Sequence, residues 1–197
     1  MTDEKLPNLR AKWTLFAVVG VLSLVADQVT KILARAWLAE PGCTVPEDIV
    51  AHSDHCATLH PVVNGFWDWH LSMNPGSAFG LFSSANGARI FLSIVGVAAV
   101  GGMIWMLRKS RPDQRILHWA LALVAGGAVG NLVDRVYFGV VTDFVYWHWH
   151  SHPWPVFNVA DVVLVVGVIL MFIDIQIESK REKKLKQEVS RKRAAAA

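Results

Sequence analysis

Two aspartates, Asp143 and Asp161, have the strongest case for chemistry in this sequence. Asp143 stands in Val141-Thr-Asp-Phe144 and Asp161 in Phe157-Asn-Val-Ala-Asp161, and neither has a Lys or Arg close by in sequence. Two carboxylates without local basic partners, brought to one membrane depth, share a proton: each raises the other's proton affinity, so one stays protonated while the other is ionised. Such a dyad titrates as a unit. It can activate a water and protonate a carbonyl or leaving group in the same step. The competing assignment is two acids satisfied separately by water and backbone. The residue types alone leave both open.

A second set of polar residues lies inside long apolar stretches, where ionisable groups are costly and each needs a reason. Asp27 and Lys31, in Asp27-Gln-Val-Thr-Lys31, are four apart and share a helix face. They read as a self-neutralising pair that pins a helix end, in support of chemistry rather than performing it. Gly126-Gly-Ala-Val-Gly-Asn-Leu-Val-Asp-Arg135 places Gly126 and Gly130 four apart, which lets a neighbouring helix pack closely. Asn131 lies three residues before Asp134 on the same face, and Asp134 with Arg135 is expected to join an ion-pair network. This group reads either as helix packing with buried polar bonding or as substrate contact. Asn158, one turn before Asp161, is placed to orient a substrate or a carboxylate. Asn74-Pro-Gly76 is a turn signal that follows an alternating segment.

The elements that must hold these residues follow from where charge is missing. The chain has 197 residues, 53% hydrophobic and 18% charged, against about 25% charged for a soluble domain. Nearly charge-free windows at 13–37, 89–107, 116–135 and 156–177 match the roughly 20 residues a helix needs to cross about 30 Å of hydrocarbon. Too little polar sequence remains to cover four such helices in water. On this division, 1–12 is a short N-terminus, 13–177 a four-span domain and 178–197 a basic tail. Asp161 is expected about one and a half turns into the fourth span. The 19 Lys and Arg cluster before the first span, in the connection around Arg108–Arg115 and from Lys180 onward; none occurs at 36–88 or 136–179. The positive-inside rule then puts both termini in the cytoplasm and the loops 38–88 and 136–155 outside. The first span also has the outline of a cleavable secretion signal, but Asp27, Gln28 and Lys31 have no use in one.

In the first outer loop, Gly65–Asn74 alternates, with Trp67, Trp69, Leu71 and Met73 on one face and Phe66, Asp68, His70, Ser72 and Asn74 on the other. Period two indicates a strand, and aromatics on one face suit a sheet at headgroup level. Residues 39–61 hold Cys43, Cys56, His52, His55 and His60, and a disulfide, free thiols and a metal site all fit that composition. His148, His150 and His152 alternate beside Trp147, Trp149 and Trp154 and read as an interfacial aromatic loop. There is no His-Glu-x-x-His, no Gly-x-Ser-Gly, no phosphate loop and no internal repeat. On these residues alone, a proton-coupled transporter with Asp27, Asp143 and Asp161 as a relay, or a non-enzymatic scaffold, stands beside a protease.

Taken together, Asp27-Gln-Val-Thr-Lys31, Asn74-Pro-Gly-Ser-Ala-Phe79, Gly126–Arg135, Val141–Phe144 and Phe157–Asp161 resemble the motifs of lipoprotein signal peptidase, or signal peptidase II, in the family's order and across about 13–177. The resemblance implies an all-α integral membrane protein of four transmembrane helices with a small extracytoplasmic β-sheet and loop cradle. It implies an aspartic endopeptidase of the bacterial cytoplasmic (inner) membrane. The reaction would remove the signal peptide from diacylglyceryl-modified prolipoproteins, cutting before the lipidated cysteine. The family's catalytic aspartates map to Asp143 and Asp161, and supporting positions map to Asp27, Lys31, Asn74, Asn131, Asp134, Arg135 and Asn158. No metal and no cofactor is implied. The implied partners are lipidated prolipoprotein precursors, membrane lipids and globomycin-type inhibitors, not nucleic acid. The 39–61 segment departs from the family pattern and is left open.

Overall fold

The computed structural model describes residues 9–76, 85–149 and 152–195. Ser77, Ala78 and Phe79 of the motif that begins at Asn74, and His150, lie outside the described residues. In chain order the elements are α1 (Leu9–Trp37), α2 (Glu47–Ala51), α3 (Ser53–Cys56), β1 (His60–Val63), β2 (Trp67–Asn74), α4 (Ala85–Lys109), α5 (Arg115–Tyr137), β3 (Val141–Trp149), β4 (His152–Pro153) and α6 (Val159–Ala195). Among the described residues, α1, α4, α5 and α6 are long and apolar enough to cross a membrane.

α5 is the inner helix. In its apolar window 61% of residues are buried, against 6–22% in the other three, whose Val, Ile, Leu and Phe side chains point outward. The Gly126-Gly127-Gly130 cluster explains how α5 accepts neighbours on two sides. A Cβ at Gly126 would fall 2.7 Å from the Gly20 carbonyl of α1, and one at Gly127 would fall 2.6 Å from the Ala160 carbonyl of α6. At Gly130 a Cβ would collide with the Asp27 carboxylate. Gly126 and Gly130 thus admit α1, as their spacing predicts, and Gly127 separately admits α6.

At the end away from the sheet, Lys12 is buried and closes α4. Its Nζ donates to the Leu107, Ser110 and Arg108 carbonyls at 2.7, 2.8 and 3.4 Å, satisfying acceptors that a helix C-terminus leaves free. Arg111 pairs with Glu178 at 2.6 Å and Asp113 with Arg181 at 2.5 Å, joining the start of α5 to α6.

The four strands form one antiparallel sheet in the order β1-β2-β3-β4. β2 and β3 pair Ser72 with Asp143, Met73 with Thr142 and Asn74 with Val141, with a register irregularity between Trp69 and Ser72. Leu71, Met73 and Phe144 lie on the buried face, beneath Ile49, Cys56 and Ala57 of the 39–61 segment. A Cys43–Cys56 disulfide staples that segment. This resolves the choice among disulfide, free thiols and metal in favour of the disulfide, and it removes Cys56 as a metal ligand.

Four sequence expectations are adjusted. The Trp69, Leu71 and Met73 face is not turned to headgroups: Trp69 packs 5.9 Å from Phe144, and the stapled segment covers that side. Residues 141–149, expected as loop, are a strand. The fourth helix starts at Val159 rather than 156, because Phe157 is drawn into a bridge with Val145 and Asn158 caps the helix. Finally, the basic tail continues α6 without a break to Ala195; its Glu, Lys, Arg and Leu residues are strong helix formers.

Candidate active site

The folding of α6's first turn creates half of the site. Asn158 Oδ1 accepts the Asp161 backbone N–H at 3.1 Å, and Asp161 Oδ2 accepts the Asn158 backbone N–H at 3.1 Å. This reciprocal pair is a capping box made with Asn and Asp, and it explains the three-residue spacing in Phe157-Asn-Val-Ala-Asp161. Asp161 therefore sits in the first turn of α6, shallower than the one and a half turns expected.

β3 supplies the other half. Asp143 is its third residue and is 2% exposed. The side-chain amide of Asn158 donates to Asp143 Oδ1 at 2.6 Å, so one asparagine holds both acids, Asp161 through its backbone N–H and Asp143 through its side chain. Asn74 Nδ2 donates to Asp143 Oδ2 at 3.0 Å, and Asn74 Oδ1 accepts the Gly76 N–H at 2.8 Å, which fixes the amide's direction. Gly76 lies at φ +80°, in the left-handed region that favours glycine. Asn131 Nδ2 donates to Asp161 Oδ1 at 3.0 Å. Among the described residues, each acid thus accepts two N–H groups and neither is in an ion pair with Lys or Arg.

Behind them lies a fully buried triad. Lys31 Nζ is 3.0 Å from Asp27 Oδ2, 3.4 Å from Asp134 Oδ2 and 2.8 Å from Asn131 Oδ1. Asn131 Oδ1 also accepts from Asn158 at 3.1 Å, which turns its NH2 toward Asp161. The two acids of the triad have parallel tasks. Asp27 Oδ1 accepts the Ala160 N–H at 2.9 Å, one residue before Asp161, and Asp134 Oδ2 accepts the Thr142 N–H at 2.8 Å, one residue before Asp143. Lys31 pairs with both, and Arg35 Nη1 adds a contact of 3.8 Å to Asp134. Arg135 has one long bond, 3.4 Å to the Asn131 carbonyl, and its guanidinium lies in the field of Asp161, Asp143 and Asp134.

All nine residues singled out from the sequence fall in this one assembly. Sequence reasoning missed Thr142, whose backbone N–H is the handle on β3, and Gln28, whose amide donates to Asp27 Oδ2 at 3.0 Å and to the Gly130 carbonyl at 3.1 Å. Gln28 carried a signal in its place beside Asp27; Thr142, held by its backbone N–H and by its hydroxyl, carried none.

Burial is the main cause that pushes the Asp143 carboxyl up to about 7, with the Asp161 carboxylate adding to it against the amides of Asn74 and Asn158. A carboxylic acid that keeps its proton near neutrality beside a second carboxylate can donate while its partner accepts. Among the described residues, no group of three or more His, Cys, Asp or Glu is placed to hold a metal ion.

The chain matches known proteins over most of its length. A family model described as Signal peptidase (SPase) II aligns with residues 19–177. A lipoprotein signal peptidase of Geobacter metallireducens is 36% identical over 176 residues, covering 89% of this chain and 99% of that protein. One from Xylella fastidiosa is 34% identical over 171 residues, covering 86% and 90%. A solved bacterial membrane enzyme, obtained by the in meso method at 2.3 Å resolution, superposes with a TM-score of 0.64 at 25% identity, covering 84% of this chain and 90% of that one. With an acid pair at one end of the four apolar helices, and a family match over residues 19–177, the chain belongs to the lipoprotein signal peptidase (signal peptidase II) family.

Proposed function

We propose that this membrane protease cuts diacylglyceryl-modified prolipoproteins just before the lipidated cysteine, using a water activated between Asp143 and Asp161. The carrying observation is a contrast within the site. Four acids converge there, three of them buried and Asp161 partly so; Asp27 and Asp134 pair with Lys31, and Asp134 also with Arg35, whereas Asp143 and Asp161 are left to each other and to neutral amides. A relay for transported protons has no need of two amide donors on each acid, while a hydrolase needs both carboxyls fixed around one water.

Asp161, ionised, takes a proton from the water as its oxygen attacks the scissile carbonyl carbon. Asp143, protonated, gives its proton to the carbonyl oxygen. In the collapse of the resulting gem-diol the C–N bond breaks, the leaving amine takes the proton from Asp161, and a hydroxyl proton returns to Asp143. No acyl-enzyme forms. Arg135, beside both acids, is available to the substrate's backbone carbonyls. Both termini lie in the cytoplasm and the acid pair lies at the outer surface, so the substrate's lipid chains stay in the bilayer beside the helices while its scissile bond reaches the site. Globomycin-type compounds occupy the same space.

The test is cleavage of a lipidated precursor in vitro. Asp143→Asn and Asp161→Asn each lower turnover by about a thousandfold or more while binding of globomycin persists. Normal cleavage by either variant refutes the assignment.

A further inference from the structure

We propose that Arg35 and Arg89 are positioning residues for the hydrolysis: reaching from α1 and α4, they clamp the turn between α5 and β3 and so fix where β3 delivers Asp143. This rests on Asp143 being a reacting acid, as proposed above.

Both arginines stand against the charge pattern of the chain. No Lys or Arg occurs at 36–88 or 136–179, and the cations at this end of the bundle are Lys31, Arg35, Arg89 and Arg135. Lys31 neutralises the buried acids and Arg135 faces the reacting pair. Arg35 adds a second, longer ion pair to Asp134 and Arg89 bonds to backbone, and both grip the segment from Asp134 to Thr142. Arg35 Nη1 donates to Thr142 Oγ1 at 2.7 Å, stands 3.8 Å from Asp134 Oδ1 and lies with its guanidinium carbon 4.5 Å from the centre of the Phe138 ring. Arg89 Nη2 donates to the Val136 carbonyl at 2.8 Å, one of the acceptors left free at the end of α5. Its side chain lies against Gly139, where a Cβ would come within 3.3 Å of Nη1.

The gripped turn contains Gly139 at φ +81° and leads directly into Thr142 and Asp143. Asp143 is then held by a 2.6 Å bond from Asn158, on a different element. The distance between Asp143 and Asp161 therefore depends on the direction in which the turn launches β3. Asp134 fixes the Thr142 N–H and Arg35 fixes its hydroxyl, two restraints on the residue adjoining the acid. A shift of about 1 Å at such a point costs on the order of a hundredfold in rate without weakening substrate contacts.

The experiment uses the full chain in proteoliposomes with a lipidated precursor, with kcat and KM referred to folded enzyme. The set is Arg35→Ala, Arg35→Lys, Arg89→Ala and Thr142→Val, with Asp143→Asn alongside. Each alanine variant should lose about ten- to a hundredfold in kcat with KM within about twofold. Arg35→Lys should recover part of the loss. Thr142→Val, which removes only the hydroxyl, should reproduce Arg35→Ala, and the Arg35→Ala/Thr142→Val pair should be no slower than the slower single. Unchanged kcat per folded enzyme, with only a lower unfolding temperature, makes the arginines plain staples and overturns the proposal; so does a raised KM at normal kcat. If an arginine variant does not fold, a normal kcat in Thr142→Val overturns it. Activity in Asp143→Asn would instead sink the assignment of the acid itself.

Discussion

Asp143 owes its high proton affinity to burial first and to Asp161 second. Below about pH 7 it holds its proton, so kcat/KM should fall as pH rises through about 7. A pH profile of precursor cleavage by the free enzyme checks this, and a rate still climbing at pH 9 contradicts it. Stability follows the same sign. The native carboxyl, at about 7, binds its proton more tightly than the unfolded one near 4, so its contribution is fully present below about pH 4 and is lost as pH rises through about 7. Thermal unfolding across that window reads the slope. Lys31 makes a different kind of contribution. With 0% exposure it serves two buried carboxylates and the Asn131 oxygen. Lys31→Met leaves Asp27 without its cation and Asp134 with only the longer Arg35 contact, and should cost about 3–5 kcal/mol, seen as a drop in the unfolding midpoint. The i, i+4 pair Asp27–Lys31 was legible in sequence because helix geometry makes it local. Its third member, Asp134, lies about a hundred residues away and required the fold. Asp143 and Asp161 stood out for a physical reason: an acid in an apolar chain with no cation near it must be answered by something distant.

At the scale of elements, the long helices were readable because hydrocarbon thickness sets their length. β3 was not, although Asp143 rides on it. Its first four residues, Val141 to Phe144, are all buried, since α1 and α5 pack against the strand and the stapled segment lies over Phe144. A strand covered on both faces shows no alternation. β2 did alternate, but its face was misassigned to headgroups because the 39–61 segment that covers it has no periodic signature. The close approach of α1 to α5 is testable at Gly130, where a methyl group would meet the Asp27 carboxylate. Gly130→Ala should destabilise by about 1–3 kcal/mol. It should also depress turnover, because Asp27 would then lose its hold on the Ala160 N–H. Unfolding midpoints and precursor cleavage on one preparation measure both effects, and an active, fully stable variant would contradict the packing.

For the whole molecule, the charge asymmetry and the single long α6 make an orientation claim. Eight of the Lys and Arg lie from Lys180 onward, on a helix that runs unbroken from Asp161 at one end of the bundle. From the positive-inside rule we propose that this basic end faces the cytoplasm. In cells, a cysteine introduced at Ser190 should react with a membrane-impermeant maleimide only after the inner membrane is permeabilised, whereas one at Thr58 should react before. The reverse pattern would place the acid pair on the wrong side for an exported precursor. The long helix follows from composition: its first half is apolar enough for lipid and its second half is rich in residues that form helix in water.

A single asparagine at the head of α6 grips both acids, so the gap across which water is split is bridged locally, while the clamped turn ahead of β3 sets the direction from which Asp143 arrives. Tilting of the bundle as the surrounding lipid thickens or thins carries the two carboxyls along as one piece. An enzyme built this way keeps its reacting groups in register in bilayers of varying thickness as long as the helix ends that carry Arg35 and Arg89 move with the turn they clamp.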